Sequence, residues 1–157
     1  MSIKLEKAKL SHVKEIQSLI KVSAAEDQML PRALSEIYEF IRDFVVAVDK
    51  DSNKVIGCCA LHVLWEDLGE VRSLTVCNSS RNNDIGSKLV RFCLDEALNL
   101  GIPRVFALTY VKDFFIKLGF SEISKDELPH KVWSDCVKCH KFPDCDELAV
   151  EKYIRIF

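Results

Sequence analysis

Apolar and polar positions repeat along the chain in two periods, one typical of strands and one typical of helices. Two apolar, β-branched runs, 44–49 and 55–65, flank a polar turn at 51–54, which predicts a β-hairpin. From 85 to 98 the apolar residues recur every three to five positions, which predicts an amphipathic helix that Gly101 ends. The same criteria predict strands at 3–8, 70–77, 104–109, 120–124 and 148–157, and helices at 11–22, 34–41 and 111–118.

These elements follow one another in the order βααβββαβαβ, then an irregular segment and a last strand. This order predicts an α/β (α+β) fold, in which helices cover both faces of a mixed sheet. Ser11 is the expected N-cap of the first helix. The chain has no internal repeat or linker, so we expect a single domain over residues 1–157, with an irregular, cysteine-containing segment at 126–147.

Composition narrows the class of protein. The 157 residues are 48% hydrophobic and 29% charged, as in a globular domain with its own core. The formal net charge is −2 and no basic stripe is present, which argues against a nucleic-acid partner. No apolar run approaches the roughly 18–20 residues that cross a membrane. Because residues 1–7 contain no apolar signal region, we expect a cytoplasmic protein.

Residues 70–100 predict an anion-binding site. A strand at 70–77 leads through a polar turn into the helix that begins near Ile85. Backbone N–H groups in the first turn of a helix have no intrahelical acceptor, and the helix dipole adds partial positive charge there. Arg81 adds a full positive charge beside that turn. A strand, turn and helix in this arrangement bind a phosphate group, and a plain surface turn without a ligand is the alternative.

The turn resembles the pyrophosphate-binding loop of the GNAT family of N-acetyltransferases. Arg81-x-x-Asp84-x-Gly86 is similar to the Arg/Gln-x-x-Gly-x-Gly/Ala loop of that family, with Asp84 where most members have Gly. The segment from Phe114 to Phe120 resembles the family's segment beside the arm of CoA. The resemblance implies acetyl-CoA as cosubstrate and a mostly antiparallel central sheet. The residues that it implies for CoA binding are Leu74, Thr75, Val76, Arg81, Asn82, Asn83, Asp84, Ile85, Gly86, Ser87 and Phe114.

Two further stretches resemble the N-acetylglutamate synthases within this family. Residues 29–32 are similar to the loop that carries a carboxylate-binding arginine in those enzymes, and residues 70–76 are similar to their central strand. The whole chain resembles the short, stand-alone amino-acid N-acetyltransferases. The substrate contacts that the resemblance implies are Leu30, Arg32, Arg72 and Ser73, with Lys131 as a further candidate.

The chemistry of these residues agrees with a small acidic substrate. Guanidinium groups bind carboxylates through two parallel hydrogen bonds, which suits Arg32 and Arg72. A solvated surface position is the alternative for Arg32. Strand alternation predicts that Arg72 lies on the same face as Glu70 and Leu74.

Acetyl transfer requires that the attacking amine first loses a proton. Glu70 is the candidate base, directly or through water, and a solvent-facing strand carboxylate is the alternative. The backbone N–H groups of residues 74–76 are the oxyanion donors that the resemblance implies. Phe115 stands where many family members have a Tyr that protonates the departing thiolate. Water, another group such as Tyr110, or no protein acid then serves this step.

The seven cysteines fall into two groups. Four lie in apolar strand or helix patterns, as small buried hydrophobic residues do: Cys58, Cys59, Cys77 and Cys93. We expect no structural disulfides in a reducing compartment. The other three cluster with histidines: Cys136, Cys139, Cys145, His130 and His140. A zinc site and inert or redox-sensitive thiols are both compatible with that cluster, and no metal ligand is assigned.

The sequence therefore predicts an acetyl-CoA-dependent N-acetyltransferase for an amino acid, with L-glutamate as the favoured substrate, which is the first step towards arginine. We expect direct transfer, because nothing pairs Cys77 with a base that would make it a nucleophile. Three alternatives stay open: transfer to another amine such as a protein N-terminus or a polyamine, an acetyl-CoA or amino-acid sensor without turnover, and a zinc-dependent interaction domain. A homodimer is compatible with the sequence, which does not determine the oligomeric state.

Overall fold

The structure, a computed structural model, describes residues 2–26, 29, 31–129 and 147–154, without the side chains of 81–83. Its strands are β1 Ile3–Lys7, β2 Phe44–Asp49, β3 Lys54–Trp65, β4 Leu68–Val76, β5 Arg104–Thr109, β6 Ser121–Ile123 and β7 Leu148–Tyr153. Its α-helices are α1 Val13–Ala25, α2 Leu34–Glu39, α3 Ile85–Leu100 and α4 Lys112–Lys117. Short 3-10 turns precede α1, β2 and α3, and another follows β6.

The strands form one sheet in the order β1-β2-β3-β4-β5-β7-β6. Among the described strands, each neighbouring pair runs antiparallel except β4 and β5. Helix α3 joins β4 to β5, and such a crossover is what allows two consecutive strands to run parallel. The predicted α/β class, with a mixed and mostly antiparallel sheet, is confirmed.

Apolar side chains from the helices cover both faces of the sheet. On one face α1 and α2 pack against β2 and β3, in a cluster that includes Ile16, Ile20 and Ile37. On the other face α3 packs against the centre of the sheet and α4 against β7 and β6, in a cluster that includes Leu89 and Phe115. These five side chains are at most 4% exposed. Successive residues of β2 and β3 serve the two faces in turn, which explains why both strands are apolar almost throughout.

The first helix begins differently from its prediction. Ser11 lies inside the 3-10 turn Leu10–His12 and α1 starts at Val13, so the prediction of Ser11 as N-cap is wrong. The His12 ring supplies the capping contact instead, because its Nδ1 atom accepts the Lys9 backbone N–H at 3.0 Å. A ring nitrogen satisfies a free N–H at a helix start as a hydroxyl oxygen does.

Helix α1 also continues beyond its predicted end at residue 22, to Ala25. Ser23 in this last turn is 4% exposed, and its hydroxyl lies 2.7 Å from the hydroxyl of Thr75 in β4, which is 6% exposed. This buried hydrogen bond stabilises the extra turn by a tertiary contact rather than by helix propensity. The loop that follows, which carries Arg32, therefore starts from a fixed point beside the central strand.

The cysteines of the described residues are free thiols. Cys58, Cys59 and Cys93 are at most 1% exposed, which confirms that they are buried, whereas Cys77 after β4 is only half-buried. Burial raises the pKa of Cys58 to about 12, so this thiol stays protonated. The predicted cluster lies outside the described residues: Cys136, Cys139, Cys145, His130 and His140.

The other element boundaries lie close to their predictions, except that the last strand, predicted over 148–157, ends at Tyr153 and does not include Ile154. Strand β4 begins at Leu68 rather than at residue 70, because Leu68 is 3% exposed and packs in a cluster with Phe106. The 3-10 turn Lys125–Glu127 lies at the start of the segment 126–147 that was predicted to be irregular. Residues 130–146 of that segment lie outside the described residues. No helix among the described residues is long and apolar enough to cross a membrane.

Candidate active site

The central strands β4 and β5 separate at one end of the sheet. Their parallel ladder ends at the pair Glu70–Phe106, while β4 continues to Val76 and β5 to Thr109. On its other side β4 stays paired with β3 as far as Val76. Among the described strands, this divergence leaves an opening along residues 71–76, and alternate backbone N–H and C=O groups of β4 face that opening.

A β-bulge lies in the middle of this edge. In the register with β3, Ser73 and Leu74 together occupy the place opposite a single residue of β3. Ser73 has a φ of 58°, which lies in the left-handed region, and this conformation accommodates the extra residue of the bulge. The bulge turns Leu74 to the α3 face, where it packs against the same cluster as Val71. The prediction that Leu74 shares a face with Arg72 is therefore wrong, whereas Arg72 and Glu70 do lie together.

The connection from β4 to α3 directs helix N–H groups towards the end of the opening. A 3-10 turn, Asn78–Asn83, follows the strand, and Asp84 then adopts a φ of 59° before α3 begins at Ile85. The N–H groups of residues 85–87 precede the first intrahelical hydrogen bond, which runs from the Lys88 N–H to the Asp84 carbonyl at 3.2 Å. Together with the helix dipole, these groups form a site for an anion.

Three residues predicted to bind CoA meet where β4, α3 and α4 converge. A Cβ atom at Gly86 would lie 3.4 Å from Cζ of Phe114 and 4.0 Å from Cγ2 of Val76. The Phe114 ring thus lies against the start of α3, within ordinary van der Waals distance of the place that a Cβ atom of residue 86 would take. In the same turn Ile85 is fully buried in the core, and Ser87 is half-buried.

Four other residues predicted to bind CoA lie in β4 and in the turn before α3. Arg81, Asn82 and Asn83 lie in the 3-10 turn, and the structure describes only their backbone. Thr75 turns its side chain towards α1, where it forms a hydrogen bond with Ser23, so its side chain lies on the face opposite to α3.

The side chain of Asp84 points away from the anion site. Its carboxylate makes no capping hydrogen bond to the first turn of α3. Instead its Oδ2 atom lies 3.9 Å from Nη1 of Arg91, about two turns along the helix. Both side chains are at least 60% exposed. The negative charge is therefore directed along the outer surface of α3.

On the α1 and α2 face of the bulge lies an open pocket with about 270 Å³ of space that is continuous with solvent. Three of the residues predicted to contact the substrate line it together: Arg32, Arg72 and Ser73. The fourth, Leu30, lies outside the described residues, as does Lys131. The pocket is completed by Glu36, Ile37, Phe40, Asp43, Phe44 and Ala60.

The two arginines of this pocket are mostly buried, and each lies near a carboxylate. The side chain of Arg32 is 12% exposed, so the alternative of a solvated surface position is wrong, and its Nη1 atom lies 3.6 Å from Oε2 of Glu36. Nη1 of Arg72 lies 3.8 Å from Oε1 of Glu70, and both of these side chains are 14% exposed. The alternative of a solvent-facing Glu70 is therefore also wrong. Two guanidinium groups converge on one small pocket, an arrangement suited to carboxylate recognition.

A histidine and an aspartate beside this pocket were not predicted. Nδ1 of His62 lies 2.7 Å from Oδ2 of Asp43, and the His62 ring makes an edge-to-face contact with Phe40, with ring centroids 5.3 Å apart. In the register between β3 and β4, His62 stands directly opposite Glu70. The available signal was alternation: His62 follows Ala60 by two residues and therefore shares its face of the sheet.

The residue that stands in the place of a catalytic tyrosine belongs to the core. Phe115 is 4% exposed and makes edge-to-face contacts with Phe114 and Phe120, at centroid distances of 5.1 and 5.2 Å. It carries no proton to donate. Tyr110, the other protein group considered for this step, is half-buried and directly follows β5.

The Cys77 thiol lies at the entrance of the turn that precedes α3. Burial raises its pKa, but hydrogen bonds with Ser79 and Ser80 outweigh that effect, so the pKa of Cys77 lies below its ordinary value. The sulfur lies 3.4 Å from the Ser79 hydroxyl and 3.2 Å from the Ser80 hydroxyl. Within the described part of the chain, no group of three or more His, Cys, Asp and Glu side chains is arranged to hold a metal ion.

Known proteins that are similar to this chain are acetyltransferases. A family model described as the acetyltransferase (GNAT) family matches residues 11–120. An uncharacterized N-acetyltransferase of Chlorobaculum tepidum is 40% identical over 145 residues, which are 92% of each chain. An amino-acid acetyltransferase of Mycobacterium tuberculosis is 35% identical over 137 residues, which are 87% of this chain and 78% of the relative.

The same fold occurs in a solved structure of N-acetylglutamate synthase from Neisseria gonorrhoeae, complexed with coenzyme A and N-acetyl-glutamate. The TM-score is 0.88 at 23% identity, and the match covers 99% of this chain. It covers 36% of the synthase, so this chain spans about a third of that protein's length. At this identity the likeness shows a shared fold.

Proposed function

The chain belongs to the acetyltransferase (GNAT) family and is an acyltransferase, and we propose that it acetylates the α-amino group of L-glutamate with acetyl-CoA. Two findings on other proteins support this substrate. A relative that is 35% identical is an amino-acid acetyltransferase, and a synthase with the same fold holds coenzyme A and N-acetyl-glutamate. With this substrate the reaction is the first step towards arginine, and we place it in the cytoplasm.

One observation carries the choice of an acidic amino acid: Arg32 and Arg72 line the same pocket. Arg32 lies just before α2, whereas Arg72 lies in the central strand β4. Glutamate has two carboxylates, and each suits the planar fork of a guanidinium group. The pocket is also small and open, as a free amino acid requires.

For acetyl-CoA, the support comes from backbone groups. The free N–H groups at the start of α3 suit its pyrophosphate, and the edge of β4 along the opening suits amides that need hydrogen-bond partners. Asp84 would repel the phosphates if its carboxylate faced them, and its position beside Arg91 weakens that repulsion.

We propose direct transfer. Glu70 takes one proton from the α-ammonium group, and the amine nitrogen then attacks the thioester carbonyl carbon. Backbone N–H groups of residues 74–76 stabilise the oxyanion. The C–S bond breaks, the amide forms, and the second amine proton reaches the departing CoA sulfur through water or Tyr110.

Isotope-labelled acetyl-CoA tests this function when it is supplied with a panel of amines: L-glutamate, L-glutamine, L-aspartate, a polyamine and a peptide with a free N-terminus. We expect labelled N-acetyl-glutamate as the main product. Labelling mainly of the polyamine or of the peptide would contradict the substrate. Binding of acetyl-CoA without any labelled product would contradict catalysis and favour a sensor.

A further inference from the structure

His62 and Asp43 form a hydrogen-bonded pair that the proposed mechanism leaves unused. The distance between Nδ1 of His62 and Oδ2 of Asp43 is 2.7 Å, and their side chains are 21% and 22% exposed. Asp43 lines the pocket together with Arg32 and Arg72. The edge-to-face contact with Phe40, another residue of the pocket, holds the His62 ring in place. The pair therefore lies at the wall of the substrate pocket.

The hydrogen bond of the pair determines which ring nitrogen of His62 carries the hydrogen. An ionised carboxylate only accepts hydrogen bonds, so Nδ1 of His62 donates its hydrogen to Asp43. In a neutral ring Nε2 is then the acceptor, and the Asp43 carboxylate stabilises the imidazolium that forms when Nε2 takes a proton.

Glu70 lies directly across the sheet from this histidine. His62 and Glu70 are direct partners across β3 and β4, and such partners have Cβ atoms about 4.5–5.5 Å apart. The next pair on the same face is Ala60 with Arg72, both of which line the pocket. Arg72, Glu70 and His62 therefore follow one another along one face of the sheet.

The charged groups around His62 come from three elements. Asp43 belongs to the 3-10 turn before β2, Glu70 and Arg72 to β4, and Arg32 and Glu36 line the same pocket from the side of α2. Of these groups, Asp43 contacts the His62 ring through its hydrogen bond, and Glu70 stands opposite His62 across the two strands.

We propose that His62, oriented by Asp43, accepts the proton that Glu70 removes from the substrate amine. The ammonium N–H bond breaks and a carboxyl O–H bond forms on Glu70. That O–H bond then breaks as an N–H bond forms on Nε2 of His62, which restores the carboxylate, and the imidazolium releases its proton to solvent. This role rests on the proposed function. His62 and Asp43 act through Glu70 and are positioning residues.

The pH dependence of kcat and kcat/KM for L-glutamate tests the role, in the wild type, His62→Gln and Asp43→Asn. We expect His62→Gln to lower kcat about 100-fold, at the low end of the range for acid–base catalysis, and to shift the acidic limb of the pH profile, which Glu70 then sets without the histidine. The KM for acetyl-CoA should stay within twofold. Asp43→Asn, which is isosteric, should shift kcat and that limb in the same direction. His12→Gln is the matched control, because His12 also lies near a carboxylate, 3.6 Å from Glu6, but outside the pocket.

A merely structural pair would give different results. Unchanged kcat and an unchanged acidic limb in folded His62→Gln would overturn the relay, even if the variant melts at a lower temperature. An equal loss in His12→Gln would overturn it as well. A wild-type enzyme that acetylates no amine would overturn the proposed function and the relay with it, whereas wild-type turnover beside fully active His62→Gln would remove the relay alone.

Discussion

The conformation of Asp84 accommodates a residue that the turn disfavours. A non-glycine residue in the left-handed region costs about 1 kcal/mol or more, although aspartate adopts it more readily than most. The carboxylate lies 3.9 Å from Arg91, which draws it away from the start of α3 without removing its charge. Asp84 therefore opposes anion binding weakly and also strains the turn.

We predict that Asp84→Gly both stabilises the protein and lowers the KM for acetyl-CoA. Glycine removes the backbone strain at position 84 but loses more conformational entropy on folding. The net gain in unfolding free energy is up to about 1 kcal/mol, or about 2–4 °C in Tm for a chain of this size. Thermal unfolding and steady-state kinetics measure the two effects. Arg91→Ala, the control, removes only an exposed ion pair and should change Tm little. A lower Tm, or a higher KM for acetyl-CoA, would show that Asp84 supports the turn.

At the scale of single residues, short motifs could be interpreted from the sequence and distant pairs could not. Arg32 and Arg72 were found because each lies in a stretch that resembles a known family. His62 and Asp43 are 19 positions apart, and their contact depends on how the 3-10 turn Ile41–Asp43 lies over the sheet. The hydrophobic periodicity of β3 does not indicate where this turn packs against the sheet.

At the scale of elements, the bulge at Ser73 and Leu74 organises the site. It places Leu74 in the α3 cluster and leaves Arg72 in the pocket on the other face, so one strand serves two binding regions. The left-handed φ of Ser73 makes this possible. The bulge also orients the N–H groups that we assign to the oxyanion.

We predict that Ser73→Val costs both stability and activity, because a β-branched residue strongly disfavours positive φ. The expected loss of unfolding free energy is about 1–3 kcal/mol, and kcat should fall because the strand re-forms without its bulge. Asn53→Val is the matched control: Asn53 has a φ of 59° in the β2–β3 turn, far from the site in the chain. Urea unfolding and kcat separate the two variants. Full activity of folded Ser73→Val, or an equal loss of kcat in Asn53→Val, would contradict a role for the bulge.

Most strands and helices were predicted to within one or two residues, because alternation and turn residues mark their ends. The bulge was not predicted, because one extra residue hardly changes the composition of β4. It only reverses the face of the sheet on which each later side chain lies. The end of the β4–β5 ladder at Glu70 could likewise not be predicted from the sequence, since both strands continue beyond it without a Gly or Pro that would mark an end. Helix α1 exceeded its prediction because Ser23 is anchored by Thr75.

At the scale of the whole molecule, the two ligand regions that we propose lie on different sides of the sheet and meet at β4. The opening towards β5 and the start of α3 suit CoA, and the pocket beside α2 suits the amino acid. We infer that the acetyl group and the amine meet near the bulge. The element order predicted the layered architecture, and the single-domain assignment stays a prediction.

The most direct test is the KM for L-glutamate in Arg32→Gln, beside Arg42→Gln as control, since Arg42 is exposed and outside the pocket lining. A hydrogen bond between charged groups contributes about 1.5–3 kcal/mol, so we predict a rise in KM for glutamate of about 10- to 150-fold. The kcat and the KM for acetyl-CoA should change less than twofold, because the lost contact serves substrate binding. Arg42→Gln should match the wild type. An unchanged KM for glutamate in folded Arg32→Gln would contradict the carboxylate pocket and with it the proposed substrate.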